Sequence, residues 1–141
     1  YVYFTYGMHW CLNVAAGPAG EGSAVLLRAA AIVDGVAVAR RRRTPASGRT
    51  PRDRDLARGP ARLCQALGVT GAQDGLDLFD PSSPLRLVLA PEPAAAGDVA
   101  QGPRVGVRQA AGRPWRFWLD GCEAVSAYRG VVGPRRTEGG R

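Results

Sequence analysis

The sequence predicts a mixed α/β domain of the α+β kind, a single domain with a largely antiparallel β core and few helices. The chain has 141 residues, of which 45% are hydrophobic, enough to bury one core. Short runs rich in aromatic and β-branched residues, separated by glycine and proline, are typical of strands. Only two segments resemble helices, and no internal repeat divides the chain. These features favour a domain dominated by strands.

The N-terminal stretch YVYFTYGMHWCLNVA predicts a β-hairpin. Residues 1–5 and 8–15 are rich in aromatic and β-branched side chains, and they flank Tyr6 and Gly7. Glycine readily adopts the positive φ that a tight turn requires, so the tip of the hairpin is expected at these two residues. The glycine-rich residues 17–22 that follow are predicted to form a loop.

An apolar run with one charge follows at residues 24–30, AVLLRAA. A run this short is consistent with a buried strand or with a short helix. We favour a buried strand, in which Arg28 is the exceptional residue because a buried arginine must be paired.

Two helices are predicted next. The first spans residues 36–43 and ends in four arginines, and residues 44–51 after it read as a loop. The second begins at Pro60, which suits the first turn of a helix. Leu63 and Leu67 lie at i, i+4 spacing in it, and Gly68 suits its end.

The C-terminal half is predicted to contain three more strands. The candidates are residues 85–89, 104–108 and 115–119. The stretch 91–102 is rich in proline and alanine and is predicted to be a loop between the first two. We expect residues 130–141 to form a disordered tail.

The charge of the chain indicates a polyanionic partner. All 19 basic residues are arginine, and against 12 acidic residues they give a net charge of +7 and a pI of about 10.3. Such a balance is most often associated with nucleic-acid binding. Biased coding is the alternative, because arginine is abundant together with alanine, glycine and proline while lysine is absent.

Cysteine and histidine usage argues against a metal protein. Cys11, Cys64 and Cys122 are widely spaced, and a single histidine, His9, does not complete a usual zinc site. No apolar stretch approaches the roughly 20 residues of a membrane span, and no signal peptide is visible. We therefore expect a reduced, cytoplasmic protein with no metal and no membrane association.

Four stretches taken together resemble the alkyladenine (3-methyladenine) DNA glycosylases of the mixed α/β type. In order they are YVYFTYGMHWCLNV, AVLLRAA, RGPARLCQALGV and PRVGVRQAAGRPWRFW. Their order and spacing carry the resemblance, which extends over nearly the whole chain. It implies a fold similar to that of formyltransferase C-terminal domains.

The resemblance also implies a base-excision-repair enzyme. Such an enzyme hydrolyses the N-glycosidic bond of alkylated or deaminated purines, such as 3-methyladenine and hypoxanthine. It flips the damaged nucleotide out of double-stranded DNA and activates a water without metal or cofactor. The expected partner is therefore damaged duplex DNA, the expected state a monomer, and the expected location the bacterial cytoplasm.

Three residues match the family's base pocket. Tyr3 corresponds to the tyrosine that stacks on the flipped base, a contact worth roughly 1–3 kcal/mol. Asn13 corresponds to the asparagine that crowds the 2-amino group of guanine. Cys11 lines the same pocket by resemblance, although a cysteine is more often a small buried apolar residue. His9 is assigned no catalytic role, since it is not the family's base-stacking histidine.

Two residues at the hairpin tip match the part of the family that intercalates into DNA. Tyr6 corresponds to the wedge that fills the gap left by the extruded nucleotide and recovers part of the unstacking cost. Met8 flanks the wedge in the minor groove or serves as a packing residue, and the residues alone leave both alternatives open.

Four further residues match positions near the reacting bond and the DNA backbone. By resemblance Arg28 helps to hold the water and the sugar-phosphate at the reaction centre, and the Val105 carbonyl helps to hold the water. The Gly106 N–H lies near a DNA phosphate in the family, and Arg62 replaces a lysine near the backbone. The arginines of residues 40–43 are expected to form a solvated basic face that adds nonspecific attraction.

The family's general base, a glutamate in an E-x-E-A-Y region, has no counterpart here. The family carries it upstream of the segment that matches this chain, with a tyrosine and a histidine that sandwich the base. None of the acids Glu21, Asp34, Asp53 and Glu123 stands at a matching position. We therefore expect an N-terminally truncated, catalytically incomplete glycosylase domain, since this hydrolysis needs a placed carboxylate.

A second departure leaves other classes of function open. The family typically has Glu-Pro where this chain has Ala31 and Ile32, so the turn after Arg28 is expected to differ. The competing interpretation is a noncatalytic nucleic-acid-binding module that keeps the wedge and the groove. A third is an RNA-binding domain like the C-terminal domain of formyltransferases.

Overall fold

The computed structural model describes residues 1–127 as two compact units. The first unit comprises Tyr1–Pro93 together with Glu123–Ser126, and the second is built on Ala94–Cys122. The tail expected at residues 130–141 lies outside the described residues. The mixed α/β class, with antiparallel strands and few helices, is confirmed.

The first unit contains a three-stranded antiparallel sheet. Its strands are β1 (Val2–Thr5), β2 (His9–Ala16) and β3 (Ser23–Leu26), and they lie in the order β1-β2-β3. The hairpin predicted around Tyr6 and Gly7 is therefore confirmed. Side chains alternate between the two faces of a strand, so even-numbered and odd-numbered residues of β1 and β2 face opposite ways.

Both predicted helices are confirmed, as α1 (Val36–Arg43) and α2 (Pro60–Leu67). Pro60 occupies the first turn of α2, where its missing N–H costs no hydrogen bond. Gly68 ends α2 in the left-handed conformation, with a φ of 74°. One face of α2 buries Leu63, Cys64 and Ala66.

Two clusters of buried side chains fill the first unit. The first lies between the helices and contains Ala39, Leu56, Ala57, Leu63 and Ala66. The second lies between α2 and the sheet and contains Val2, Leu12, Cys64 and Val69. The even-numbered face of the β1–β2 hairpin therefore covers the core, and the odd-numbered face points away from it.

The second unit contains a two-stranded antiparallel ribbon. It consists of β4 (Val99–Gly102) and β5 (Arg116–Leu119), which are joined by residues 103–115. A bond from the Asp120 N–H to the Asp98 carbonyl, 2.9 Å long, extends the ribbon beyond its strands. None of the helices described within residues 1–127 has the length and apolar character that crossing a bilayer requires.

Four sequence expectations about strands are corrected. Residues 24–30 are not a buried strand, because β3 ends at Leu26 and its side chains are exposed or half-buried. Residues 85–89 form no strand, and Val88 and Leu89 are exposed. Residues 104–108 belong to the β4–β5 connection, where the positive φ of Gly106 interrupts extended backbone. The stretch 91–102, expected to be a loop throughout, includes β4.

Candidate functional site

The odd-numbered face of the β1–β2 hairpin brings together all three predicted base-pocket residues. Tyr3 lies directly opposite Cys11 in the antiparallel register. Asn13 lies two residues further along β2, so its side chain shares their face. Cys11 and Asn13 are buried, and Tyr3 is half-buried. The face therefore combines an aromatic ring, a thiol and an amide.

Tyr3 is held by contacts on two sides. Its ring stacks on the Tyr1 ring, with centroids 5.5 Å apart and planes inclined by 23°. On the other side it lies opposite Cys11 in the strand register. Burial first, and then the neighbouring Cys11 thiol, raises the pKa of the Tyr3 hydroxyl above its ordinary value. The ring is therefore neutral at physiological pH and restricted in its rotation.

Asn13 is fixed by the backbone at the start of β1. Its side-chain Nδ2 donates to the Tyr1 carbonyl at 3.2 Å, and its backbone N–H donates to the same carbonyl at 2.8 Å. A buried amide needs such partners, because an unsatisfied one costs about 1–3 kcal/mol. The Asn13 side chain consequently has a defined orientation beside Tyr3 and Cys11.

The turn that joins β1 to β2 presents Tyr6 to solvent. The Met8 N–H donates to the Thr5 carbonyl at 3.1 Å, and Tyr6 and Gly7 between them have φ of 51° and 64°. Two central residues with positive φ are typical of the tight turns that suit hairpins. Tyr6 is 85% exposed, and Met8 is exposed as well. A bulky residue in the left-handed region is uncommon and strained.

Arg28 lies two residues beyond the end of β3, the strand that pairs with β2. Asn13 pairs with Leu26, and the Leu27 N–H donates to the Leu12 carbonyl at 3.0 Å, one residue beyond the end of β3. Arg28 follows directly, and the next residue, Ala29, already bridges to Arg58 outside the sheet. The sequence predicted a buried Arg28 within a strand. Arg28 is instead half-buried and lies outside the strand.

The arginines at the end of α1 are exposed or half-buried, and most of them also bond to groups of the first unit. Three of the four donate to groups of this unit. Their acceptors are the Asp53 carboxylate for Arg40, the Ala66 carbonyl for Arg42 and the Leu56 carbonyl for Arg43. Of these three bonds, that of Arg42 reaches the backbone of α2, where it satisfies the Ala66 carbonyl of the last turn and places a cation near the negative end of the helix dipole.

Arg62 lies exposed on α2, as a residue that contacts a DNA backbone must. Burial lowers the pKa of Arg43, and the positive charge of nearby Arg62 lowers it further. Arg62 therefore lies within electrostatic reach of Arg43, whose Nε donates to the Leu56 carbonyl.

Val105 and Gly106 belong to the second unit, in the connection between β4 and β5. Val105 is half-buried. Gly106 has a φ of 74°, and a side chain added there would meet open space. Glycine is therefore favoured at this position by its backbone conformation, not by a close neighbour within the chain.

The acids considered as general bases are mostly engaged elsewhere. Asp53 pairs with Arg40, Glu123 pairs with Arg54, and the Asp34 carboxylate accepts from the Gly35 N–H. Glu21 is exposed in the loop before β3. Within residues 1–127, no three His, Cys, Asp or Glu side chains lie close enough together to hold a metal ion.

Comparison with known proteins decides the family. The model of the family described as methylpurine-DNA glycosylase (MPG) matches residues 1–123. The chain belongs to the methylpurine-DNA glycosylase family. This membership confirms the resemblance that the four sequence stretches indicated.

Bacterial relatives agree with the family assignment. A Mycobacterium tuberculosis H37Rv protein provisionally named 3-methyladenine DNA glycosylase is 57% identical over 129 residues, which cover 92% of this chain and 60% of the relative. Proteins with the same provisional name from Nocardia farcinica and Leifsonia xyli are 56% and 55% identical, again over 92% of this chain. They are covered over 58% and 60% of their own lengths. The chain thus spans about 60% of the length of these curated relatives.

Two residues near the site in this family member were not singled out from the sequence. Tyr1 supplies the ring that stacks on Tyr3. The spacing of two residues between them could have indicated this contact, because residues two apart in an extended chain face the same side. Asp74 accepts from the Val2 N–H at 2.8 Å and so anchors the start of β1. No local pattern connects Asp74 with a strand 72 residues away.

Proposed function

We propose that this chain carries the base-recognition part of a DNA glycosylase for alkylated or deaminated purines, such as 3-methyladenine and hypoxanthine. The odd-numbered face of the β1–β2 hairpin receives the flipped base, and Tyr6 enters the duplex. The substrate is double-stranded DNA with a damaged purine, bound by one copy of the protein. Family membership supports the chemistry, and the geometry of the hairpin supports the assignment of residues.

The turn residue Tyr6 is the observation that carries the proposal. It is 85% exposed and lies in a conformation with a φ of 51° that a tyrosine rarely adopts. A strained, exposed aromatic residue at the end of a rigid hairpin gains nothing for the core, so a role outside the molecule explains it better. Filling the gap left by an extruded nucleotide is such a role. Met8, exposed on the other side of Gly7, is proposed to contact the minor groove beside it.

The three pocket residues are proposed to divide the recognition of the base. The Tyr3 ring stacks on the purine, as an aromatic face restores the stacking lost on flipping. The Asn13 amide, fixed by the Tyr1 carbonyl, limits the space for a 2-amino group and so disfavours guanine. Cys11, buried directly opposite Tyr3, contributes an apolar wall beside the ring.

Arg28 is proposed to orient the attacking water and the sugar-phosphate. Its place directly after Leu27, whose N–H donates to the Leu12 carbonyl, supports this role, because it lies beside the strand that carries Cys11 and Asn13. Arg62, Val105 and Gly106 are assigned from the family resemblance. Arg62 and the Gly106 N–H would contact DNA phosphates, and the Val105 carbonyl would accept from the water.

We further propose that residues 1–141 alone do not excise the base at a useful rate. Asp34, Asp53 and Glu123, which could have served as general base, are bonded to other groups of the chain. General-base catalysis typically contributes about 10²–10⁴-fold. The chain alone is therefore expected to act as a lesion-binding module, which is also the noncatalytic alternative.

Binding to damaged DNA tests the proposed wedge. Tyr6→Ala should weaken binding to a hypoxanthine or abasic duplex about tenfold, or about 1.4 kcal/mol, and change binding to undamaged duplex much less. Phe79→Ala removes an exposed ring elsewhere in the first unit and is the matched control. Fluorescence anisotropy over a salt series provides the affinities. Equal losses on both duplexes would show that Tyr6 is an ordinary contact.

Excision by excess protein in a single-turnover assay tests the proposed division of labour. A labelled hypoxanthine duplex is incubated with the chain, treated with alkali and examined for strand cleavage. The same chain fused to the family's upstream segment should cleave about 10²–10⁴-fold faster. A similar rate for the two proteins would mean that a carboxylate within residues 1–141 serves as the base.

A further inference from the structure

The second unit carries a cluster of two arginines and a tryptophan that the proposed excision does not use. Trp115 ends the connection between β4 and β5 and is 54% exposed. The guanidinium carbon of Arg113 lies 4.6 Å from the centroid of its ring, and that of Arg104 lies 5.5 Å away. One exposed ring therefore holds two positive charges.

Within residues 1–127, these two charges form no ion pair with a carboxylate. The salt bridges formed within residues 1–127 all involve arginines of the first unit, and neither Arg104 nor Arg113 takes part in one. Arg104 instead donates through Nη2 to the Gln109 carbonyl at 2.6 Å, which fixes its guanidinium. Two cations held on one ring repel each other, and the ring offsets only part of this repulsion. A bound anion would offset the remaining repulsion between the two guanidinium groups.

The charges of the second unit are segregated along its β-ribbon. Asp98 and Asp120 stand together at one end, where the Asp120 N–H donates to the Asp98 carbonyl. The four arginines within residues 94–122 lie in or next to the connection at the other end: Arg104, Arg108, Arg113 and Arg116. Among these residues the end that carries Trp115 is therefore the positive one, and its charge is complementary to a polyanion.

We propose that Arg104, Arg113 and Trp115 form a phosphate-binding cluster that contacts the backbone of duplex DNA. A guanidinium stacked on an indole ring keeps its edge N–H groups available for phosphate oxygens. The ring and the Gln109 carbonyl order the guanidinium groups before DNA binds, which lowers the entropic cost of contact. The inference rests on the proposed function, because that function supplies the DNA.

The test measures binding of the whole chain to a short, fluorescein-labelled, undamaged duplex over a series of salt concentrations. Trp115→Ala leaves the charge unchanged and should lower the affinity about fivefold, whereas Trp115→Phe should restore most of it. The double variant Arg104→Gln/Arg113→Gln should reduce the slope of log K against log salt by about 1.8, or about 0.9 for each lost phosphate contact.

Two controls separate the cluster from general surface effects. Phe117→Ala removes another exposed ring of the same ribbon, and Arg86→Gln removes one exposed charge from the first unit. Both should bind DNA like the unaltered chain. Circular dichroism checks that each variant is folded; should Trp115→Ala unfold, the salt slope of the double arginine variant decides the question.

The outcomes distinguish this inference from the proposed function. A chain that binds no duplex at low salt contradicts both. A chain that binds, with its affinity and salt slope unchanged in Trp115→Ala and in the double variant, contradicts the cluster alone. An effect of Phe117→Ala as large as that of Trp115→Ala also contradicts it. Loss of binding to phosphatidylserine vesicles but not to DNA would assign the cluster to a lipid surface instead.

Discussion

The two β-hairpins of this chain both expose aromatic residues, but different interactions hold those residues in place. In the β1–β2 hairpin, a three-residue connection presents Tyr6, and the hairpin rests on core residues such as Leu12. In the β4–β5 ribbon, a long connection presents Trp115, and guanidinium groups bound to the ring restrict its position. The first is supported by apolar burial and the second by contacts at the surface.

This difference matters because only a well-supported backbone can keep a strained residue. The positive φ of Tyr6 costs roughly 1–2 kcal/mol, and it persists where the surrounding structure leaves no alternative. The β1–β2 hairpin offers such support, since its even-numbered side chains are packed against Cys64 and Val69. Lesion recognition, which needs a fixed geometry, is therefore proposed for the first hairpin, and backbone contact, which tolerates adjustment, for the second.

The largest expected effect comes from removing the core support of the first hairpin. Leu12→Ala deletes a side chain that is 3% exposed and should lower the free energy of unfolding by about 2–5 kcal/mol. The same substitution in the second hairpin, Leu119→Ala, affects a residue that is 51% exposed and should cost about 0.5 kcal/mol or less. Urea denaturation followed by circular dichroism measures both. Similar losses would show that the two hairpins are supported alike.

The same contrast explains how much of the fold was predictable from the sequence. The first hairpin and α2 were predicted because their signals are local: aromatic and β-branched residues on both sides of Tyr6 and Gly7, and Pro60 and Gly68 at the helix ends. The strand β4 was missed because its sequence, VAQG, lacks the bulky residues typical of strands. Gly102 is small because the Trp118 ring from the opposite strand covers it, at 3.1 Å from where a Cβ would be. The need for a small residue at this position arises from tertiary packing, which the local sequence does not reveal.

The candidate site was predictable in part for a similar reason. Tyr3, Cys11 and Asn13 share a face because strands alternate, and the sequence contains that information. The position of Arg28 beside β2 depends on the register between β2 and β3, which spacing alone does not determine. The cluster around Trp115 depends on side chains brought together by a 13-residue connection, for which no sequence pattern exists.

A smaller effect is expected from relieving strain at the tip of the first hairpin. Tyr6→Asn creates an Asn-Gly pair, which is preferred where both central residues of a tight turn have positive φ. It should raise the free energy of unfolding by about 0.5–1 kcal/mol, because asparagine tolerates the left-handed conformation. The preference for lesion DNA should fall at the same time.

Tyr6→Ala is the matched control for this substitution. It also loses the ring but keeps a residue that disfavours positive φ, so it should lose the lesion preference without becoming more stable. Urea denaturation and anisotropy on the two duplexes measure both quantities. A destabilised Tyr6→Asn variant would mean that the Tyr6 ring contributes to the fold and that the turn is not strained.

The smallest expected effect is a pH dependence that originates beneath the first hairpin. Burial, and secondarily the neighbouring Cys11, raises the pKa of the Cys64 thiol above its ordinary value of 9.0. The unfolded chain then loses this proton at lower pH than the folded chain does. The resulting stability is fully present below about pH 9 and is lost as pH rises through the folded pKa.

Cys64→Ala should be less stable than the unaltered chain at neutral pH, because it leaves a small cavity. Between about pH 8 and about pH 9.5, however, it should lose less stability than the unaltered chain does. Urea denaturation at each pH gives the two slopes. Parallel slopes would show that the Cys64 thiol ionises equally easily in the folded and unfolded chains. Water would then have more access to the core under the β1–β2 hairpin than its packing indicates.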